Sequence, residues 1–538
     1  MRWNPGQSAE LSKALVTLAF FFAGSFALLA QRQPAKVTIA SGMLQGVRLD
    51  FNPRAAAFLG IPYAAQPVGS LRWRPPQVHA TWRGVRDAIA YGPACPQAPS
   101  PWLPEMLGRK EMKTSEGCLY LNVWTPDLTR KNMPVMVWVH GGGNVEGSAE
   151  WPPLGETLAK RGVVVVAINY RLGIFGFLAL PSLSAESRHK ASGNYGLLDQ
   201  IAALQWVRQN IVHFGGDPRN VTVFGASSGS LDLCNLMASP LASGFYKRMI
   251  LQSGVCVDGV FPTLTQAELN GVQFSRKLGG GGEAPRPDAL RRQAAQRILQ
   301  AAAADPQLDL EPTVDGWVLP EQPAIVFEQG KQADVPVIVG SNANEISIFA
   351  SPLVGGKSYR PKTLAQYREW LHRQFGEQAN EVFTAYPART DKEVPSTFNR
   401  MDTAFQFGFG ARLLAQETEK IGQRAFLYCF TYVGTGKFAD LGAFHSEESM
   451  FLSKKYWTSW TGRPNDNKLS DTMIDYWVQF AKTGNPNSTG MPDWTAYRSS
   501  SASCQELGPR IGPQAVPYAE QMQVFQRVLA ARLRNVQP

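Results

Sequence analysis

Five short apolar runs recur along the chain, Val135 to Val139, Val163 to Ile168, Val221 to Phe224, Met249 to Leu251 and Val335 to Val339, each closed by glycine or a polar turn. A strand with one face in water alternates apolar and polar residues, whereas a strand covered on both faces is apolar throughout, as in buried parallel sheets. Between the second and third runs, Leu198, Ile201, Leu204, Trp206 and Val207 recur at near-helical spacing over Leu197 to Asn210. Strand, helix, strand predicts a βαβ unit and an α/β fold: a central, mostly parallel sheet flanked by helices, with helical insertions. The glycines from Gly279 to Gly282, then Pro285 and Pro287, break regular structure. The Ala/Arg-rich stretch Ala289 to Ala304 that follows is expected to be one surface helix in an insertion. At 538 residues, with 44% hydrophobic and 18% charged, the chain is neither disordered nor membrane-resident in composition. A sheet with insertions absorbs that length, so residues 31–538 are expected to form a single domain.

Arg2 and Lys13 precede an apolar run from Ala14 to Leu29, with small residues placing cleavage after Ala27 or Ala30. This predicts an export signal over residues 1–30 and a secreted or periplasmic protein without stable membrane insertion after cleavage. The run is short for the roughly 20 residues that span a bilayer, the competing reading. The net charge of +10 is scattered rather than gathered into a stripe interleaved with aromatics, which argues against nucleic acid as a partner. Six cysteines show no C-x-x-C spacing, so no metal site is indicated, and export permits disulfides.

The segment Val221 to Gly229 contains Gly225-Ala226-Ser227-Ser228-Gly229 directly after an apolar run and before a helical stretch. That is the context of a nucleophile elbow, in which small flanking residues allow a turn sharp enough to lift a serine out of the sheet. An ordinary strand-to-helix turn carries the same pattern, so the remaining groups decide. A serine hydroxyl needs a base, and the oxyanion it creates on an acyl carbon needs preorganised donors. His140-Gly141-Gly142-Gly143 follows the run ending at Val139; the backbone N–H groups of Gly142 and Gly143, with that of Ser228, are the candidate oxyanion hole.

Of the six histidines, only His372 and His445 follow Ser227, the order nucleophile, acid, histidine of this fold. His445 lies in a turn-like stretch and is the candidate base; His372 lies in a charged, helix-like stretch and reads as a surface residue. Glu345, just beyond an apolar run, is the candidate acid, and Asp315, in an Asp-Gly turn, competes.

Phe58-Leu-Gly-Ile-Pro-Tyr63, Ser115-Glu-Gly-Cys-Leu-Tyr-Leu-Asn122, Asn169-Tyr-Arg-Leu-Gly173, Gly196-Leu-Leu-Asp-Gln200, Phe214-Gly-Gly-Asp-Pro218 and Gln252-Ser-Gly254 appear in order. With them the sequence resembles the type-B carboxylesterase/lipase family, which includes carboxylesterases and cholinesterases, from about residue 36 to the C-terminus. The resemblance implies an α/β-hydrolase fold and a serine carboxylic ester hydrolase without metal or organic cofactor. It implies Ser227 as nucleophile, Glu345 as acid, His445 as base, and Gly142, Gly143 and Ser228 as oxyanion hole. A Cys95–Cys118 bridge and an Arg72–Glu116 ion pair are implied likewise; the bridge would stabilise by roughly 3 kcal/mol in the chain-entropy model. The substrate is expected to be a small to medium carboxylic ester.

The sequence departs from the family's pattern at Ala226, where glutamate usually precedes the nucleophile, and at Gly117, in place of aspartate. Asn144 stands where an aromatic is common, which predicts a smaller and more polar cleft wall. The family's second disulfide is expected to be absent, because Gly279 to Gly282 offers Cys256 no partner. A bridge between Cys429 and Cys504 is a further expectation. Gly108 stands about where cholinesterases carry a cation-binding tryptophan, with Arg109, Lys110 and Lys113 nearby and Trp102 out of register, which argues against choline esters. A non-catalytic recognition domain, or a lipase or amidase on the same scaffold, are the alternative readings.

Overall fold

The computed structural model of the chain describes residues 33–100, 111–279, 286–351, 359–455 and 464–535. The expected export signal, Trp102, Gly108, Arg109 and Lys110 lie outside the described residues. Thirteen strands form one sheet: β1 (Pro34–Ile39), β2 (Gly42–Leu49), β3 (Asn52–Pro62), β4 (Val85–Asp87), β5 (Tyr120–Thr125), β6 (Met133–Val139), β7 (Val164–Ile168), β8 (Gly216–Ala226), β9 (Arg248–Gln252), β10 (Val337–Asn342), β11 (Ala425–Phe430), β12 (Ser503–Leu507) and β13 (Ile511–Ala515). Their order is β1-β2-β3-β5-β7-β6-β8-β9-β10-β11-β12-β13, with β4 pairing β2. The strands from β7 to β12 in that order run parallel. The β1-β2-β3-β5 margin and its junction with β7 are antiparallel, as is β13 on β12. This is the α/β-hydrolase architecture.

The apolar runs are the central strands, and Val135, Val137, Val164, Val166, Val223, Leu251, Val337 and Val339 are buried. β10 begins later than its run, at Val337, because Pro336 has no N–H to give the ladder and contributes only its carbonyl, which accepts from Met249 N–H at 3.3 Å. The helix Tyr195–Asn210 joins β7 to β8 and is buried on nearly every side.

The expected helix over Ala289 to Ala304 is two short helices, Pro287–Arg291 and Ala295–Ala303. Arg72 causes the break. Its guanidinium takes the carbonyls of Leu290 and Gln293 at 3.2 and 2.8 Å while pairing with both oxygens of Glu116 at 2.6 Å. Helix propensity of about a few tenths of a kcal/mol per alanine cannot compete with that many charge-assisted bonds.

Disulfides join Cys95 to Cys118, Cys234 to Cys256 and Cys429 to Cys504. Cys256, left without a partner by the loss of the family's second disulfide, pairs instead with a cysteine of the helix Ser228–Ala238, which packs beside the chain leaving β9. No helix among the described residues is long and apolar enough to cross a membrane.

Candidate active site

The parallel order reverses at β6: β7 lies on one side of it and β8 on the other. In open α/β sheets, ligands bind beyond the carboxyl ends of the strands at such a switch point. Here β6 delivers His140 to Gly143, and β8 delivers Ser227, with Val139 and Gly225 in register. Ser227 adopts φ 56° and ψ −130° between β8 and the helix Ser228–Ala238, and its N–H donates to Gln252 O at 2.8 Å. The elbow lies flat against β6 because Gly229 has no side chain. A Cβ there would fall 2.3 Å from Val139 O and 2.5 Å from His140 O. Gly142 takes φ 113°, open to glycine alone, and its carbonyl accepts from Val145 and Glu146 N–H at 3.1 and 3.0 Å. Among the described residues no protein acceptor takes the N–H of Gly142, Gly143 or Ser228. The last of these is free because the first turn of any helix leaves its donors unpaired.

His445 and Glu345 come from loops after β11 and β10. The imidazole Nδ1 lies 2.7 Å from Glu345 Oε2, both residues are buried, and Nε2 has no partner. Glu345 Oε1 accepts from Asn342 N–H at 2.7 Å. The Asn342 amide binds Phe444 O at 2.6 Å and Glu448 Oε2 at 2.7 Å, locking the two loops together. Glu448 Oε1 accepts from Gln252 Nε2 at 3.0 Å and Ser449 Oγ at 3.1 Å. Burial, reinforced by the charge of Glu345, pushes the Glu448 carboxyl up. Glu448 is thus a second buried acid, joined to Glu345 through Asn342. The rings of Phe349 and Phe407 flank the His445 ring at 5.0 and 4.9 Å; Phe407 sits in a π-helical turn, Ala404–Gly408, a local widening frequent near functional sites. The sequence reading missed both rings, and the only signal was the aromatic density of Phe405-Gln-Phe-Gly-Phe409.

Ser227, His445 and Gly141 to Gly143 line one cavity of about 370 Å³, with Trp138, Trp151, Phe349, Met450 and Ala226 making most of its wall apolar. Gln97 and Glu146 also line it. Gln97 exchanges two hydrogen bonds with Gly147, each 2.9 Å, and sits two residues from the Cys95–Cys118 bridge. Burial pushes the Glu146 carboxyl up. His140 is not a competing base: its ring stacks on Tyr170, its Nδ1 faces Gly141 O at 2.8 Å, and burial lowers it to about 4.

His372 is exposed on the helix Leu364–Phe375. Asp315 Oδ1 accepts three backbone N–H groups, from Trp317, Val318 and Leu319, which occupies it in its own turn. Asn144 is a correction. It is buried, lies outside the cavity and points to Asp232, so that Val145 and Glu146 form the cleft wall there. Among the described residues no cluster of three or more His, Cys, Asp or Glu could hold a metal.

Residues 33–525 match the model of the carboxylesterase family. The chain is 39% identical over 472 residues to a fumonisin B1 esterase of Sphingopyxis macrogoltabida, covering 85% of this chain and 83% of that protein. It is 36% identical to the para-nitrobenzyl esterase of Bacillus subtilis, over 86% and 93% of the two chains. A solved PNB esterase superposes with a TM-score of 0.77 at 32% identity, covering 91% of this chain and 99% of that one. The carboxylesterase of Geobacillus stearothermophilus does so at 0.77 and 29%, with the same coverage. Matched to that family's model over nearly its whole length and to esterases at 39% and 36% identity, the chain belongs to the carboxylesterase family and is a carboxylic ester hydrolase.

Proposed function

We propose that the enzyme cleaves small to medium carboxylic esters by two-step acyl transfer through Ser227, His445 and Glu345. The observation that carries the reading is the His445–Glu345 bond at 2.7 Å, with Nε2 unpartnered in a residue that shares its cavity with Ser227. Glu345 fixes the tautomer in which Nδ1 holds the proton, so Nε2 is the basic atom and can take the Ser227 hydroxyl proton as Oγ bonds to the ester carbonyl carbon. The carbonyl oxygen gains the negative charge and is met by the N–H groups of Gly142, Gly143 and Ser228. Collapse breaks the carbon–alkoxy bond, and the alcohol leaves with the proton from Nε2. Water then gives a proton to Nε2 and its oxygen to the acyl carbon; the acid departs and Ser227 regains its proton. The volume of about 370 Å³ sits at the low end of ligand pockets, which supports short to medium acyl chains. The three disulfides support export of a mature domain spanning residues 31–538.

The test is hydrolysis of p-nitrophenyl esters from acetate to palmitate by the purified protein beside Ser227→Ala. The variant should lose at least about a thousandfold in kcat, with the parent fastest on acetate to octanoate. Equal rates in parent and variant would remove Ser227 from the mechanism, and a palmitate optimum would exclude the substrate size.

A further inference from the structure

Asn144 and Asp232 take no part in the chemistry above, yet they join the two segments that supply the oxyanion donors. Asn144 follows Gly142 and Gly143 directly and adopts φ 58°, a left-handed conformation that asparagine tolerates better than most residues. Its carbonyl accepts from Gly173 N–H at 2.6 Å. Its side chain is buried: Nδ2 donates to Asp232 Oδ1 at 2.9 Å, and Oδ1 lies 3.1 Å from the Tyr170 hydroxyl, itself 2.9 Å from His140 O. Asp232 stands one turn beyond Ser228 on the elbow helix, fully buried, and its second oxygen accepts from Gln200 of the helix Tyr195–Asn210. One hydrogen bond therefore runs from the loop that carries two donors to the helix that carries the third.

We propose that the Asn144–Asp232 pair is a positioning device that sets the separation between the two halves of the oxyanion hole; this rests on the reading of Gly142, Gly143 and Ser228 given above. Two adjacent glycines have no side chain with which to hold their own place. Asn144 is the first residue after them able to anchor the loop, and it does so on the helix whose first N–H completes the hole. Donors must lie about 2.7–3.1 Å from the oxyanion, and a misplacement of about 1 Å costs on the order of a hundredfold in rate. Burial pushes the Asp232 carboxyl up to about 7, while the amides of Asn144 and Gln200 pull it down. Both protonation forms keep an oxygen that accepts the Asn144 amide.

The experiment compares Asn144→Gly, which suits the left-handed backbone, with Asp232→Ala, Asp232→Asn and the double variant Asn144→Gly/Asp232→Ala. Each is assayed for p-nitrophenyl acetate turnover and for inhibition by a trifluoromethyl ketone, whose adduct with the serine carries an oxyanion. Asn144→Gly and Asp232→Ala should each lower kcat about ten- to a hundredfold, with KM within about threefold. Ketone affinity should fall in proportion to kcat/KM, and the double variant should be no worse than the weaker single. Asp232→Asn, which keeps an acceptor oxygen, should stay within about threefold of the parent. A kcat for Asn144→Gly within twofold of the parent, a double-variant loss equal to the product of the singles, or unchanged ketone affinity would each overturn the proposal. Should Asp232→Ala fail to fold by circular dichroism, Asn144→Gly and Asp232→Asn with the ketone decide the matter. Parent turnover abolished in Ser227→Ala marks the catalytic reading as sound, so its failure is separable from failure of the positioning pair.

Discussion

Ser227 sits in a backbone conformation that costs a non-glycine residue about 1–3 kcal/mol, and it is held there by the Gln252 carbonyl and by the helix that starts one residue on. Glu345 is held with comparable care, one oxygen on Asn342 N–H and the other on His445 Nδ1. Replacing it with glutamine leaves the size unchanged but offers the imidazole an amide, which permits the wrong tautomer. Glu345→Gln is therefore expected to lower kcat by about a thousand- to ten-thousandfold with KM little changed, measured by steady-state kinetics on p-nitrophenyl acetate. Ser227, His445 and the glycine loop were legible in the sequence because each sits in a short motif whose local shape follows from its glycines or from its place in the chain order. Asn144 was misread because its side-chain direction depends on Asp232, 88 positions away, and no local pattern records such a partner.

Among the elements, β6 and β8 determine the most. Gly229 presses the elbow helix against the end of β6, and a methyl group added there meets two carbonyl oxygens rather than movable side chains. Gly229→Ala should therefore destabilise by about 1–3 kcal/mol and lower turnover at least tenfold, with the melting temperature and kcat read on the same preparation; a variant matching the parent in both would show that the elbow can shift without consequence. The central strands could be read from the sequence because burial on both faces leaves only apolar residues. The Ala-rich helix could not, because what breaks it is the side chain of Arg72, more than 200 residues earlier, reaching the Leu290 carbonyl. Cys234 was not recognised as a partner for Cys256 because the crossover from β8 to β9, rather than nearness to a glycine segment, brings them together.

For the molecule as a whole, several carboxyl groups have been moved into the interior. Burial pushes Asp232 and the half-buried Asp258 up to about 7 and Asp402 to about 6. A carboxyl whose folded value lies above its unfolded value of about 4 stabilises the fold below that unfolded value, and the contribution is lost as pH rises through 6 to 7. His140, lowered to about 4 by burial, acts in the other direction: its contribution is present above about 6.5 and is lost as pH falls toward 4. The melting temperature should therefore peak on the acid side of neutrality and decline toward pH 8. A flat profile from pH 5 to 8, followed by calorimetry, would contradict this balance. The Cys95–Cys118 bridge operates at the same scale. It ties the segment from which Gln97 clasps Gly147 in the cavity wall to the segment that leads into β5, and both of its cysteines are buried in the core. That part of the cavity wall is thus held by oxidation as well as by folding, and a chain kept reduced would hold it through the Gln97–Gly147 hydrogen bonds without the covalent link behind them.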